Sequence, residues 1–418
     1  MKRRIKLFLS LLSGIVMLAL QACDTSGEFD SPDKDYFLKY YGSSSGNQRA
    51  VDMIVNADGS IVILGESESG GQRQIYLLKL DAMGRVLNEK YFSGPTEVVK
   101  DIEPLGNDTY LILADTLRGP EDFDTELFKV NGSGDILGRV VFKRPYNEIA
   151  KGLTVLSNGK IMVAGTMFTA PNISDFMVDR YNSDLSVDTA TWKFSGANIA
   201  VVDGAIKVLE SSSGINVMAY TNSKLSGRNP GEKVLFAYFK VEDFGVRSEF
   251  GSLPGTINSN DIETNSAIKT PTFDPGYFVT GSTKNSGSDG IFVCKMRENL
   301  IYEPGEGQAE IYTQILPTGS HSISGISVVP CIVPPEGYFV ICNDVESTGN
   351  SNIWLTKLRL NGQVAWSTRY GSEQGSDTAG TVAELPDGKI LILGTVELGD
   401  NQKKVTLMKV NSSGQFLK

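Results

Sequence analysis

An all-β fold is predicted: a seven-bladed β-propeller of four-stranded antiparallel blades, with an N-terminal strand closing the last blade. Three observations carry this. A turn pair followed by a β-rich run that ends in a small residue recurs at intervals of 50 to 61 residues. A second apolar run, ending in a basic residue, follows each copy at nearly constant spacing. The segment "LKYYGSSSG" (38 to 46) echoes "STRYGSEQG" (367 to 375), and in both the tyrosine precedes an Asp-Gly pair by 17 residues, at 58–59 and 387–388.

The first repeat is clearest in "DGSIVILGES" (58 to 67), "NGKIMVAGT" (158 to 166), "PGYFVTGST" (275 to 283) and "DGKILILGT" (387 to 395). Weaker copies are "NDTYLILADT", "GINVMAYT" and "EGYFVICND". Anchored on Gly65, Asp115, Gly165, Tyr220, Gly281, Cys342 and Gly394, they number seven. The second run supplies Lys79, Lys129, Arg180, Lys240, Lys295, Lys357 and Lys409, again seven. A strand before the turn pair and a strand ending in an aromatic beside glycine, as in "YFSG" and "RYGS", complete four β signals per unit.

The anchor and basic-ended strands are apolar at nearly consecutive positions, which suits strands covered on both faces by neighbouring blades. The first strand of each unit opens on small or short residues, Gly152, Gly204, Ser266, Gly325 and Gly380 among them, as crowding around an axis requires. Such units resemble the bacterial seven-bladed β-propeller repeat with its Asp-Gly turn, its "YVTGST"-like strand and its lysine-ended strand. Several lipoproteins of Bacteroidetes type look alike. The resemblance covers residues 34–418 and implies a fold rather than an activity. Counting from both ends makes residues 34–43 the outer strand of the last blade, so that Tyr41 matches Tyr370.

Residues 1–22 read as a signal peptide, with Lys2, Arg3, Arg4 and Lys6 before the apolar run 7–20. "LQAC" (20 to 23) resembles the bacterial lipobox, which implies cleavage before Cys23 and diacylation of its thiol. Residues 23–33 read as the lipidated cysteine and a flexible tether. The formal charge is −10. Cleavage removes four of the 39 basic residues and none of the 49 acidic ones, leaving −14. An acidic chain without a long basic run disfavours nucleic acid as a partner.

Catalytic and metal signatures are sparse. The one histidine, His321, falls in "PTGSHSISG" and reads as a loop residue. Asp289 in "NSGSDG" reads as a turn residue rather than a calcium ligand. No catalytic residue, metal site or cofactor is expected. Cys331 and Cys342 flank one hairpin, and both a disulfide and a pair of buried thiols fit, the thiols more readily. The repeated basic residue reads as a strut whose head pairs with turn carboxylates. Asp52 and Asp101 are the carboxylates placed near the axis, and Trp192, Trp354 and Trp366 read as core residues.

Function is therefore expected in irregular loops. The long loop 222–233, with Lys224, Arg228 and Asn229, is the candidate contact surface. These readings describe a lipid-anchored cell-envelope scaffold, non-catalytic and protein-binding, in an outer-membrane complex. Its partners would be the membrane, through the anchor, and an envelope protein. The alternative is a glycan-binding or glycan-processing lipoprotein, with paired carboxylates and an aromatic platform at the channel mouth.

Overall fold

Six consecutive runs of chain each fold into a four-stranded antiparallel sheet whose strands pair in chain order: 47–92, 97–141, 147–194, 203–252, 261–315 and 321–370. These are blades one to six. The structure, a computed structural model, describes residues 29–30, 35–43, 46–92, 97–119, 122–170, 173–194, 203–211, 214–221, 235–242, 246–252, 261–270, 275–285, 288–297, 309–315, 321–372, 375–399 and 402–416.

The expectation of seven four-stranded blades is corrected here: six sheets have that form, and the remaining sheet is a five-stranded composite of both ends of the chain. Its order is Phe29–Asp30, Phe37–Tyr41, Gln402–Val410, Ile390–Leu398 and Thr378–Glu384. Phe37 pairs with Lys409 and Tyr41 with Val405. The fifth strand arises because Phe29 and Asp30, within the segment read as a tether, fold back onto Leu38 and Phe37.

Why the middle strands lack alternation is visible in the cores. Ile61 and Ile63 join Phe37, Tyr41, Leu391, Leu393, Val405 and Leu407 between the composite sheet and blade one. Their sequence neighbours Val62 and Leu64 point the other way and join Ile112, Phe128 and Val130 of blade two. Each such strand feeds two interblade cores, so every position must be apolar.

Polar groups stitch the same joints. On each of four second strands a side chain accepts from a backbone N–H of the next inner strand: Glu66 from Val99 at 2.9 Å, Asp115 from Ala150 at 2.9 Å, Asn343 from Ala379 at 2.6 Å and Thr395 from Ala50 at 2.9 Å. A hydrogen bond to a charged acceptor contributes about 1.5–3 kcal/mol. The repeated basic residues act as struts between sheets. Lys79 pairs with Asp108 at 2.7 Å and Lys357 with Glu384 at 3.6 Å, while Lys129 and Lys409 donate to the carbonyls of Ser183 and Ala82 at 3.0 and 3.4 Å.

The echoed tyrosines play one role twice. Tyr41 donates to the Gly84 carbonyl at 2.7 Å, and Tyr370 to the Gly414 carbonyl at 2.6 Å. Each is followed by a glycine of positive φ, Gly42 at 118° and Gly371 at 148°, where the strand must turn sharply inward to the next inner strand.

Candidate functional site

The innermost strands are Asn47–Val55, Glu97–Gly106, Asn147–Val155, Asp203–Ser211, Asp261–Lys269, His321–Pro330 and Thr378–Glu384. All of them line one axial channel of about 610 Å³. Every one carries a register shift at the same level against its second strand, as between Ala50 and Asp52, Val99 and Asp101, or Ala205 and Lys207. A bulge sets two residues against one and re-aims the side chains beside it. The extra residue is Val51, Lys100, Lys151, Ile206 and Asn265 in blades one to five, and each of these lines the channel.

Asp52 and Asp101, expected near the axis, do face the channel. Sequence reading missed Lys100, Glu103, Lys151 and Lys207 beside them. The missing signal was the bulge: strict alternation sends the residue after the small entry position away from the axis, whereas the bulge brings both it and its successor inward.

Lys207 organises the acidic wall. Its ammonium lies 2.9 Å from Asp101 Oδ2 and 2.9 Å from Glu103 Oε1, two blades away. Gly152 of blade three makes that reach feasible, because a Cβ there would collide with the Ile206 carbonyl oxygen and stand 2.9 Å from Lys207 Cδ. Asp101 Oδ2 also accepts from the Leu153 N–H at 2.8 Å, tying blade two to blade three. Burial lowers the proton affinity of Lys207, but the two carboxylates more than offset it and the net shift is upward. Burial raises Glu103, with Lys207 opposing. Burial pushes Asp52 well above the usual carboxylate range, and neighbouring Asp101 adds to it.

Two further charges of the channel, Lys100 and Glu384, are spent on the frame. Lys100 pairs with buried Asp115 at 3.1 Å. Glu384 Oε2 accepts from the Ile332 and Val333 N–H groups at 2.6 and 2.8 Å, holding the turn of blade six. Among the described residues no group of three or more His, Cys, Asp or Glu is placed to hold a metal ion. No aromatic side chain is among the described residues that line the channel.

The other singled-out residues lie elsewhere. His321 is the first residue of its inner strand rather than part of a loop, and Asp289 sits in the third strand of blade five, paired with Lys284. Cys331 and Cys342 are both free and buried, in cores on opposite sides of blade six, so the disulfide does not form. Burial pushes the Cys331 thiol up to about 12. Trp354 is buried against the Arg369 guanidinium, 5.5 Å from its ring. Cys23, Lys224, Arg228 and Asn229 lie outside the described residues.

Two buried carboxylates give the fold a pH signature. Burial raises Asp115 to about 6 against the pull of Lys100, and raises Glu148 to about 7 against that of Arg144. Unfolded carboxylates titrate near pH 4, so between that value and 6 to 7 the native state holds more protons and stability falls as pH rises. Each contributes on the order of 2 kcal/mol that is present near pH 4 and lost by about pH 7. Thermal melts at about pH 5 should lie above those at about pH 8, with a smaller difference in Asp115→Asn and Glu148→Gln. A slope of opposite sign, or one unchanged in both variants, would refute this assignment.

The family model described as "Domain of unknown function (DUF5122) beta-propeller" matches residues 57–86 and 156–190, the turn pair and middle strands of blades one and three. The chain is a β-propeller repeat protein. No curated protein matches the sequence. Among solved structures it is similar to the plexin A4 extracellular region at a TM-score of 0.55 and 10% identity, covering 88% of this chain and 47% of that one. It is also similar to prolyl oligopeptidase B from Galerina marginata, at 0.49 and 10%, covering 89% and 50%. A third likeness is to the polysaccharide lyase Uly1, at 0.48 and 11%, covering 89% and 91%. The chain spans about half the length of the plexin and oligopeptidase chains. Likeness at these identities shows the fold alone.

Proposed function

We propose that this β-propeller repeat protein is a lipid-anchored scaffold of the cell envelope, non-catalytic, binding a protein partner within an outer-membrane complex. The observation that supports this is where its axial charges go. Asp101 and Glu103 of blade two hold Lys207 of blade four, Asp115 holds Lys100 within blade two and accepts from the Ala150 N–H of blade three, and Glu384 holds a turn of blade six, so all of these carboxylates join one sheet to another. A ring braced in this way keeps its loops at fixed separations, which is what a recognition platform needs. Cys23 anchors the chain, and the loop carrying Lys224, Arg228 and Asn229 contributes to the contact.

Cross-linking in intact cells followed by detergent extraction and affinity recovery tests the reading. A stoichiometric envelope protein should co-purify and be lost when residues 222–233 are replaced by a short Gly-Ser linker. Recovery as a monomer under every cross-linking condition would sink the scaffold. Replacement of Cys23 by serine should shift the protein from the detergent phase to the aqueous phase.

A second reading, glycan processing, draws on the adjacency of Asp52, whose carboxyl burial pushes well above the usual range, and Asp101, which pairs with Lys207 at 2.9 Å, two carboxyl groups in unlike surroundings. Hydrolysis of an aryl glycoside that disappears in both Asp52→Asn and Asp101→Asn would favour it.

A further inference from the structure

Lys151 differs from every other cation of the channel. It is the bulge residue of blade three, exposed to the channel, and its ammonium makes no hydrogen bond or ion pair among the described residues. Lys100, the bulge residue of blade two, stands close enough to act on it electrostatically, and is itself held by Asp115 at 3.1 Å. On the same channel lining, Asn265, the bulge residue of blade five, has a buried Oδ1 without a hydrogen-bond partner, while its Nδ2 donates to Glu263 Oε1 at 3.4 Å. Glu263 also acts on Lys151, so these groups share one neighbourhood. A buried acceptor left unpaired destabilises the site, and a donor brought by a ligand relieves it.

We propose that the axial channel binds a hydroxylated organic carboxylate, with the anionic group seated on Lys151 beside Lys100 and a hydroxyl donating to Asn265 Oδ1. The ion pairing of the site selects the ligand class. Lys100 is neutralised by Asp115, leaving one ammonium to be matched, which suits a monoanion; a dianion would carry excess charge toward Glu263 and Asp115. A channel of about 610 Å³ holds a molecule of several carbons rather than a simple ion. The inference concerns the axis alone and stands apart from the anchor and the loop partner.

Gluconate is the probe, titrated calorimetrically into the full mature chain, with acetate and sorbitol as the arms that carry only the carboxylate or only the hydroxyls. Saturable gluconate binding is expected in the millimolar range, about tenfold tighter than acetate, with none for sorbitol. Lys151→Met should weaken gluconate at least about tenfold, and Asn265→Leu, which removes the acceptor of the hydroxyl, should weaken it by about threefold to tenfold. Lys90→Met, on an outer strand, should bind as the parent does. Since Lys151 is exposed and unpaired, its substitution should leave the melting temperature unchanged, separating lost binding from lost fold. No saturable gluconate binding up to about 20 mM, or equal affinity in Lys151→Met, overturns the proposal. Equal affinity for acetate and gluconate overturns the role of Asn265.

Discussion

Deleting residues 34–43 is expected to lower the melting temperature by roughly 5–10 °C. Phe37 and Tyr41 are 1% and 7% exposed in the core shared with blade one, and burying each side chain contributes about 2 kcal/mol. The deletion also strips the ladder from Lys409 to Val405 and leaves Gln402–Val410 as an open edge. Lys404 loses the Ser43 carbonyl from its ring of acceptors, keeping Gly46 and Gln48. Scanning calorimetry of the deletion, beside Phe37→Ala and Tyr41→Phe, provides the check. Tyr41→Phe removes only the bond to the Gly84 carbonyl and should cost about 1 kcal/mol. An unchanged melt in the deletion would mean that the pairing of the chain's two ends contributes nothing to the ring.

Lys207→Met should be the most damaging single substitution on the axis. It leaves Asp101, with 13% of its side chain exposed, and Glu103, with 29%, facing Asp52 without a cation. Removing one partner of a buried pair costs about 3–5 kcal/mol, an upper bound here because channel water partly replaces the lost cation. The carboxylates should then take up protons, so the loss should be greatest at alkaline pH and shrink as pH falls. The triple variant Asp101→Asn, Glu103→Gln, Lys207→Met should recover most of the stability, since no lone charge remains. Urea melts of the single and triple variants separate electrostatics from packing. Equal losses in both would show that the lysine stem over Gly152, rather than its charge, matters.

Much of the architecture was legible because a repeat reports packing many times over. The positions of Gly65, Gly165, Gly281 and Gly394 keep register with Lys79, Arg180, Lys295 and Lys409 since each unit faces the same neighbours. Tyr41 and Tyr370 could be matched across the whole chain because both reach a turn glycine of the next sheet. The hairpin of Phe29 and Asp30 was not legible: two residues carry no period, and their polar surroundings read as tether. On the axis, Asp52 and Asp101 were found and Lys100, Lys151 and Lys207 were not, for a bulge depends on backbone pairing that side-chain alternation does not encode. The buried thiols of Cys331 and Cys342 show the same limit, since proximity along a hairpin does not tell which side of the sheet each faces.

The composite sheet also sets the order of events in biosynthesis. Phe37 meets Lys409 only after the six intervening blades have left the ribosome, so the ring cannot close before all of them have been made. Until then a five-residue strand bearing Phe37 and Tyr41 waits at one end, and a matching vacancy waits at the other. In a crowded compartment a second nascent copy can offer its own strand to that vacancy, making an exchanged dimer by the contacts that would have made a monomer.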